Sequence, residues 1–216
     1  MSAPESSDRL GRPASNDSKV GGTIRRVATI ALLAPRVQVR AWAIEISALT
    51  HGHITGQLAA AAWAEMLAYV AAGEPLEQVA QRVAMDYAQL DGGNETANAI
   101  HSALVAPRDG RPKTVQSLGG GWIAEEALAI ALYACLRGNC LDECLRIAVT
   151  HGGDSDSTAA IAGNMLGVMS PDAVLSHSWA SVIQGADIIS RLARDYDLLL
   201  HPPDAVDTLF TFYPGG

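Results

Sequence analysis

No run of lysine and arginine occurs in these 216 residues, and the formal net charge is −8. Nucleic-acid phosphates are held by clustered positive charge, so no nucleic-acid partner is expected. Long apolar runs are missing too. Two of the least charged stretches, residues 49–64 and 157–171, are shorter than a bilayer span and carry His, Gln, Thr, Asn and Gly, so no membrane-spanning helix and no membrane partner are expected. The first residues include Glu5 and Asp8 and no apolar core of the kind a signal peptide uses. The expected location is therefore cytoplasmic. Cysteine is scarce: Cys135, Cys140 and Cys144 are an odd number, which disfavours a disulfide framework. Cys140 and Cys144 would share a helix face, yet His151 alone does not complete a zinc ligand set, so all three are read as packed thiols.

Strand signals are nearly absent. Residues 208–213 (TLFTFY) are β-type, but one segment cannot pair with itself. With 49% hydrophobic and 18% charged residues the chain has ample material for a core, and its apolar pattern from about residue 55 is helical. Leu76, Val79, Ala80, Val83, Ala84, Tyr87 and Leu90 recur at steps of three and four, which is one buried stripe bounded by Gly73 and Pro75 before it and Asp91-Gly92-Gly93 after it. Further helices are expected over residues 56–72, 95–104, 123–137, 141–150, 157–168 and about 178–199. The fold class is all-α: a compact multi-helix domain over residues 15–200, with a disordered segment at 1–14 and a tail at 201–216. Ala159, Gly163 and Gly167 fall on one face of the 157–168 helix, a stripe of small residues expected to pack closely against a neighbouring helix.

The segment HGGDSDST at residues 151–158 carries the clearest chemistry. Asp154 and Asp156 flank one residue at a helix start, with hydroxyls at Ser155, Ser157 and Thr158. Two neighbouring carboxylates repel, and hard oxygen ligands of this kind suit Mg²⁺ or Ca²⁺. An EF-hand is excluded, because its sixth and twelfth positions, Gly and Glu, are Ala159 and Met165 here. Helix capping is the competing reading, since Asp and Ser satisfy free N–H groups at a helix start. On this octapeptide alone the two readings are equal. Trp122, after three glycines, suits either an adenine stack or an aromatic anchor at a helix start, and the residues by themselves favour the anchor.

The neighbouring sequence adds a resemblance. LRIAVTHGGDSDSTAAIAGN at residues 145–164 resembles the C-terminal signature of the ADP-ribosylglycohydrolases. LTHGHITG at 49–56 is similar to that family's LTHGHPTG segment, and LGGGWIAEEAL at 118–128 to its LGxGWxAEEAL helix start. NDSKVGGTIRRVA at 16–28 is similar to its NDSKGCGGVMRVAP loop, with one residue lost before Gly21 and one gained at Arg25-Arg26. The resemblance implies an all-helical fold and hydrolysis of the bond joining ADP-ribose to a protein side chain or a related ADP-ribosyl compound, usually with two Mg²⁺. It implies Asp154, Asp156 and Ser157 as metal ligands, and Ser18, Lys19, Gly21, Gly22 and His51 as residues of the ADP-ribose site.

The family's Gly-rich first helix and its Thr-Asp-Asp metal motif have no counterpart in the 216 residues. A chain missing its first third is the expectation this raises, with one Mg²⁺ or none bound, weak or absent turnover, and self-association through exposed apolar faces. No residue is identified as catalytic. The alternative is a non-catalytic ADP-ribose- or nucleotide-binding remnant or scaffold.

Overall fold

A computed structural model describes residues 11–200. The expected segment at 1–14 falls largely outside this range, as do the tail at 201–216 and its TLFTFY stretch. Contacts divide the chain at Pro171, whereas the sequence places the end of the helical domain at residue 200.

The first unit holds α1 (Gly22–Arg26), α2 (Ala28–Leu33), a 3₁₀ turn (Arg36–Gln38), α3 (Val39–Ala48), α4 (Ile54–Ala71), α5 (Leu76–Tyr87), α6 (Asn94–Val105), α7 (Pro112–Gln116), α8 (Ala124–Arg137), α9 (Leu141–Val149) and α10 (Ser155–Met169). The fold is all-α, as expected. Among the described residues no strand forms, and one isolated antiparallel bridge joins Val20 to Ile123. No described helix is long and apolar enough to cross a membrane.

Two alanine-rich helices form the centre. Residues 58–64 of α4 and 127–135 of α8 are buried on every side, the pattern of a helix wrapped by others rather than lying on a surface. Alanine lets the backbones approach, and α4 touches α1, α2, α3, α5, α6, α8 and α10. Helix α5 is the opposite case. It is amphipathic, and Leu76, Val79, Ala80, Val83 and Tyr87 of the expected stripe are its buried residues. Its Tyr87 hydroxyl donates to Glu65 Oε2 at 2.6 Å, and Arg40 Nε donates to the same oxygen at 2.9 Å, so one carboxylate of α4 ties α3 to α5. Burial, before the Glu65 charge, pushes the Tyr87 phenol well above its usual range.

Three expectations need correction. A Cβ added at Gly163 or Gly167 would meet nothing within 4 Å, so the small-residue face of α10 makes no tight helix contact. Cys135 and Cys144 are buried thiols, but Cys140 precedes α9 on the surface and is exposed. The long helix expected over 178–199 is broken. From the boundary onward the described elements are α11 (Pro171–Ser176), a 3₁₀ turn (Ser178–Ser181) and α12 (Ala186–Leu200). Gly185, at φ +80°, supplies the left-handed residue that interrupts the run.

Candidate functional site

Three loops of the first unit are joined by backbone hydrogen bonds. Residues 18–22 run beside 122–124: Gly21 N–H donates to Trp122 O at 3.1 Å and Ala124 N–H to Lys19 O at 2.8 Å, on either side of the Val20–Ile123 bridge. The glycine loop 119–121 then meets the acidic loop, where Asp154 N–H donates to Gly120 O at 2.8 Å. Glycine is required where these backbones touch. A Cβ at Gly153 would lie 1.8 Å from Gly120 O, and Gly121, at φ +75°, would place one 2.8 Å from the Thr158 methyl. Glu126, at the start of α8, reaches back and accepts from Gly120 N–H and Gly121 N–H at 3.0 and 3.1 Å, which fixes the turn.

Asn16 builds the fourth corner. Its Oδ1 accepts from Ser18 N–H and Gly52 N–H, both at 3.0 Å, and its Nδ2 donates to Thr50 O at 3.0 Å. The His51 ring consequently lies beside Gly22, where a Cβ would be 4.0 Å from Cε1 and Nε2. Thr50 Oγ1 accepts from Arg26 and lies 2.7 Å from His51 Nδ1, which holds the imidazole in place. Partial burial, then the Arg26 charge, holds the His51 imidazole below its usual range. Ser18, Gly21, Gly22 and His51 are thus brought together.

Lys19 is differently placed. Its ammonium bridges Glu95 Oε2, at 2.9 Å, and Glu125 Oε1, while Thr55 Oγ1 donates to Glu95 at 2.8 Å. The Glu125 hydrogen bond first, then that of Glu95, raises the Lys19 pKa; the same contact, with Thr55 second, lowers that of Glu95. Lys19 is committed to two carboxylates. Glu95 and Glu125 lie 76 and 106 residues away in sequence, and no local pattern marks them as its partners. Glu125 is in the quoted AEEAL segment, which was the available signal.

The acidic loop is held from behind by His151. Gly153 N–H donates to its Nδ1 at 3.2 Å, so the ring proton sits on Nε2, 2.9 Å from Thr158 Oγ1, whose hydroxyl donates to Ala148 O at 2.8 Å. Thr158 is therefore occupied structurally, one position beyond the expected ligand Ser157. Asp154 is the residue before α10, yet its side chain makes no capping hydrogen bond. The Asp156 carboxyl is held below its usual range, first by a hydrogen bond with the Asp154 carboxyl and then by N–H groups of the helix start, with the Arg25 charge adding to this. The two carboxyl groups therefore influence each other at the start of α10, and Ser157, next in sequence, is buried. Among the described residues no three His, Cys, Asp or Glu side chains converge as metal ligands. The three expected ligands offer two carboxylates and a hydroxyl, all hard oxygen, a chemistry that suits Mg²⁺ rather than zinc or copper. Sequence reasoning missed Arg25, which brings positive charge to this pair.

Trp122 is 61% exposed, and so does not serve as a buried anchor for α8. The start of α8 is instead secured by Glu126 and by Ala124 N–H on Lys19 O.

Curated proteins yield no match to this chain. The family model described as ADP-ribosylglycohydrolase matches residues 2–205, nearly the whole sequence and all three of the joined loops. The chain belongs to the ADP-ribosylglycohydrolase family.

Proposed function

We propose that the joined loops are a binding site for an ADP-ribosyl group next to a single Mg²⁺, and that the activity of the fold is hydrolysis of the glycosidic bond between ADP-ribose and a protein side chain or related acceptor. The observation that carries this reading is the juncture itself: Gly21, Gly22 and His51 on one side and Asp154, Asp156 and Ser157 on the other are linked through one glycine loop.

In this reading Gly22 and the His51 ring receive the diphosphate, with Ser18 beside them, and Asp154, Asp156 and Ser157 hold the metal rather than moving protons. Lys19 acts at one remove, by fixing the loop through Glu95 and Glu125. Mg²⁺ would polarise ribose hydroxyls and the water bound to it. Asp154, Asp156 and Ser157 would hold it with water completing the shell, and so few protein ligands would bind it weakly. Turnover by these 216 residues is slow for the same reason. Alignment of substrate and attacking water is worth on the order of 7–11 kcal/mol, and losing half of it slows a reaction by roughly three orders of magnitude.

The test is release of ADP-ribose from an ADP-ribosylated protein, with Mg²⁺ and with a chelator, alongside direct ADP-ribose binding. Binding with slow, Mg²⁺-dependent release is expected. Absence of ADP-ribose binding would overturn the site, and full turnover in chelator would overturn the metal.

A further inference from the structure

Trp122 stands apart from the other indoles of the first unit. Trp63 is completely buried and Trp42 is 39% exposed, while Trp122 is 61% exposed in the middle of the juncture just described. Its main chain is fixed on both sides, by Gly21 N–H on its carbonyl and by the Val20–Ile123 bridge next to it. Its side chain is fixed as well. A Cβ on Gly120 would lie 2.9 Å from Trp122 Cδ1 and 3.2 Å from Nε1, so the pyrrole edge rests against bare glycine backbone. A rigid ring costs little conformational entropy when a ligand covers it.

The surroundings decide what covers it. Val20, 52% exposed, is its exposed apolar neighbour on the paired segment, and two residues make a patch far smaller than a protein partner needs. The area suits a flat ring of one ligand. Neutral ring chemistry also suits the local charge, since Glu126 lies in the same turn and is already satisfied by Gly120 and Gly121. Trp122 is two residues from the carbonyl that holds Asp154, and its own main-chain carbonyl accepts from Gly21 N–H, so its ring belongs to the same cluster of joined loops.

We propose that Trp122 is the stacking platform for the adenine base of the bound ADP-ribosyl group, pre-set by Gly120 and by pairing with the Gly21 loop. This rests on the binding site proposed above. The base contributes affinity through its π-face, and the anionic half of the ligand is bound independently by the loops.

The experiment is calorimetry on the full chain with two ligands: ADP-ribose, and ribose 5-diphosphate, which keeps the anionic half and lacks the base. Trp122→Ala should weaken ADP-ribose binding by about tenfold or more, the effect of removing one base–aromatic stack, and leave ribose 5-diphosphate unchanged. Trp122→Phe should restore most of the loss. Trp122→Leu, which keeps apolar bulk without an aromatic face, should not. ADP-ribose should also quench tryptophan fluorescence in the natural chain and much less in Trp122→Phe. Equal weakening of both ligands in the variants would overturn the proposal in favour of a structural role, as would full rescue by leucine. ADP-ribose bound equally by Trp122→Ala and the natural chain would overturn it while leaving the ADP-ribose site standing. No binding of ADP-ribose to the natural chain would overturn both.

Discussion

Two charged clusters flank the glycine loop, and they solve opposite problems. Around Lys19 two carboxylates share one ammonium, and Glu95 also accepts from the Thr55 hydroxyl, so the attraction is supplied from within the chain. At the start of α10 the Asp154 and Asp156 carboxyls interact with each other and with N–H groups of the helix start, and Arg25 adds positive charge from the neighbouring loop. The first cluster is a structural joint tied by its own cation. The second is a pair of neighbouring carboxyls that, among the described residues, no lysine or arginine bridges in this way, and in the proposed site their cation is Mg²⁺.

Breaking the joint should have the largest effect. Lys19→Met leaves Glu125 buried with no cation, and removing one partner of a buried pair costs about 3 kcal/mol at the low end. Denaturant unfolding at neutral pH should show a loss of that order. The Lys19 pKa is raised, so its contribution is present below the ordinary lysine value near 10.4 and is lost as pH rises through the higher folded value. A variant as stable as the natural chain would mean that the two clusters do not differ as described.

Next in size is Gly153→Ala. Its Cβ would fall 1.8 Å from Gly120 O, a backbone atom that cannot rotate away, so the glycine and acidic loops must separate. A loss of about 2 kcal/mol is expected, typical of overpacking, together with loss of ADP-ribose affinity. Unchanged affinity would show that the juncture is not the binding site.

The acidic pair should show its role through metal. Asp156→Asn removes a carboxylate whose folded pKa is depressed, so stability without metal should be unchanged or slightly lower. Mg²⁺ at ten times its dissociation constant should stabilise the natural chain by about 1.4 kcal/mol and the variant by much less. Equal Mg²⁺ responses in thermal melts would return the pair to a helix-capping role.

The smallest effect is that of His51. Its folded pKa is depressed, so the neutral ring contributes stability above about pH 6.5, and that contribution falls away as pH drops through the lower folded value. His51→Gln should flatten the decline in stability over that window. A decline as steep as in the natural chain would assign it to other groups.

The sequence is informative where a feature is local. Helices α4, α5, α6, α8, α9 and α10 follow from apolar spacing within two or three residues at each end. Residues 22–48 carry no readable helical signal, because α1, α2 and the 3₁₀ turn are too short to show a period and α3, though ten residues long, buries only Val39, Ala43 and Ser47. The break at Gly185 was missed because a single glycine within an apolar run does not announce its φ. At the site, motif matching found the loops and could not find their long-range partners: Lys19 reads as a free cation until α6 and α8 bring Glu95 and Glu125 to it. Exposure of Trp122 likewise depends on what does not pack over it.

The most direct measurement is an ADP-ribose titration of the natural chain in Mg²⁺ and in chelator, repeated with Asp156→Asn. Binding through the joined loops with a metal on the acidic pair predicts tighter binding in Mg²⁺ for the natural chain and no Mg²⁺ dependence for the variant. Isotherms that are the same in Mg²⁺ and chelator for the natural chain, or that show no binding in either, would contradict it.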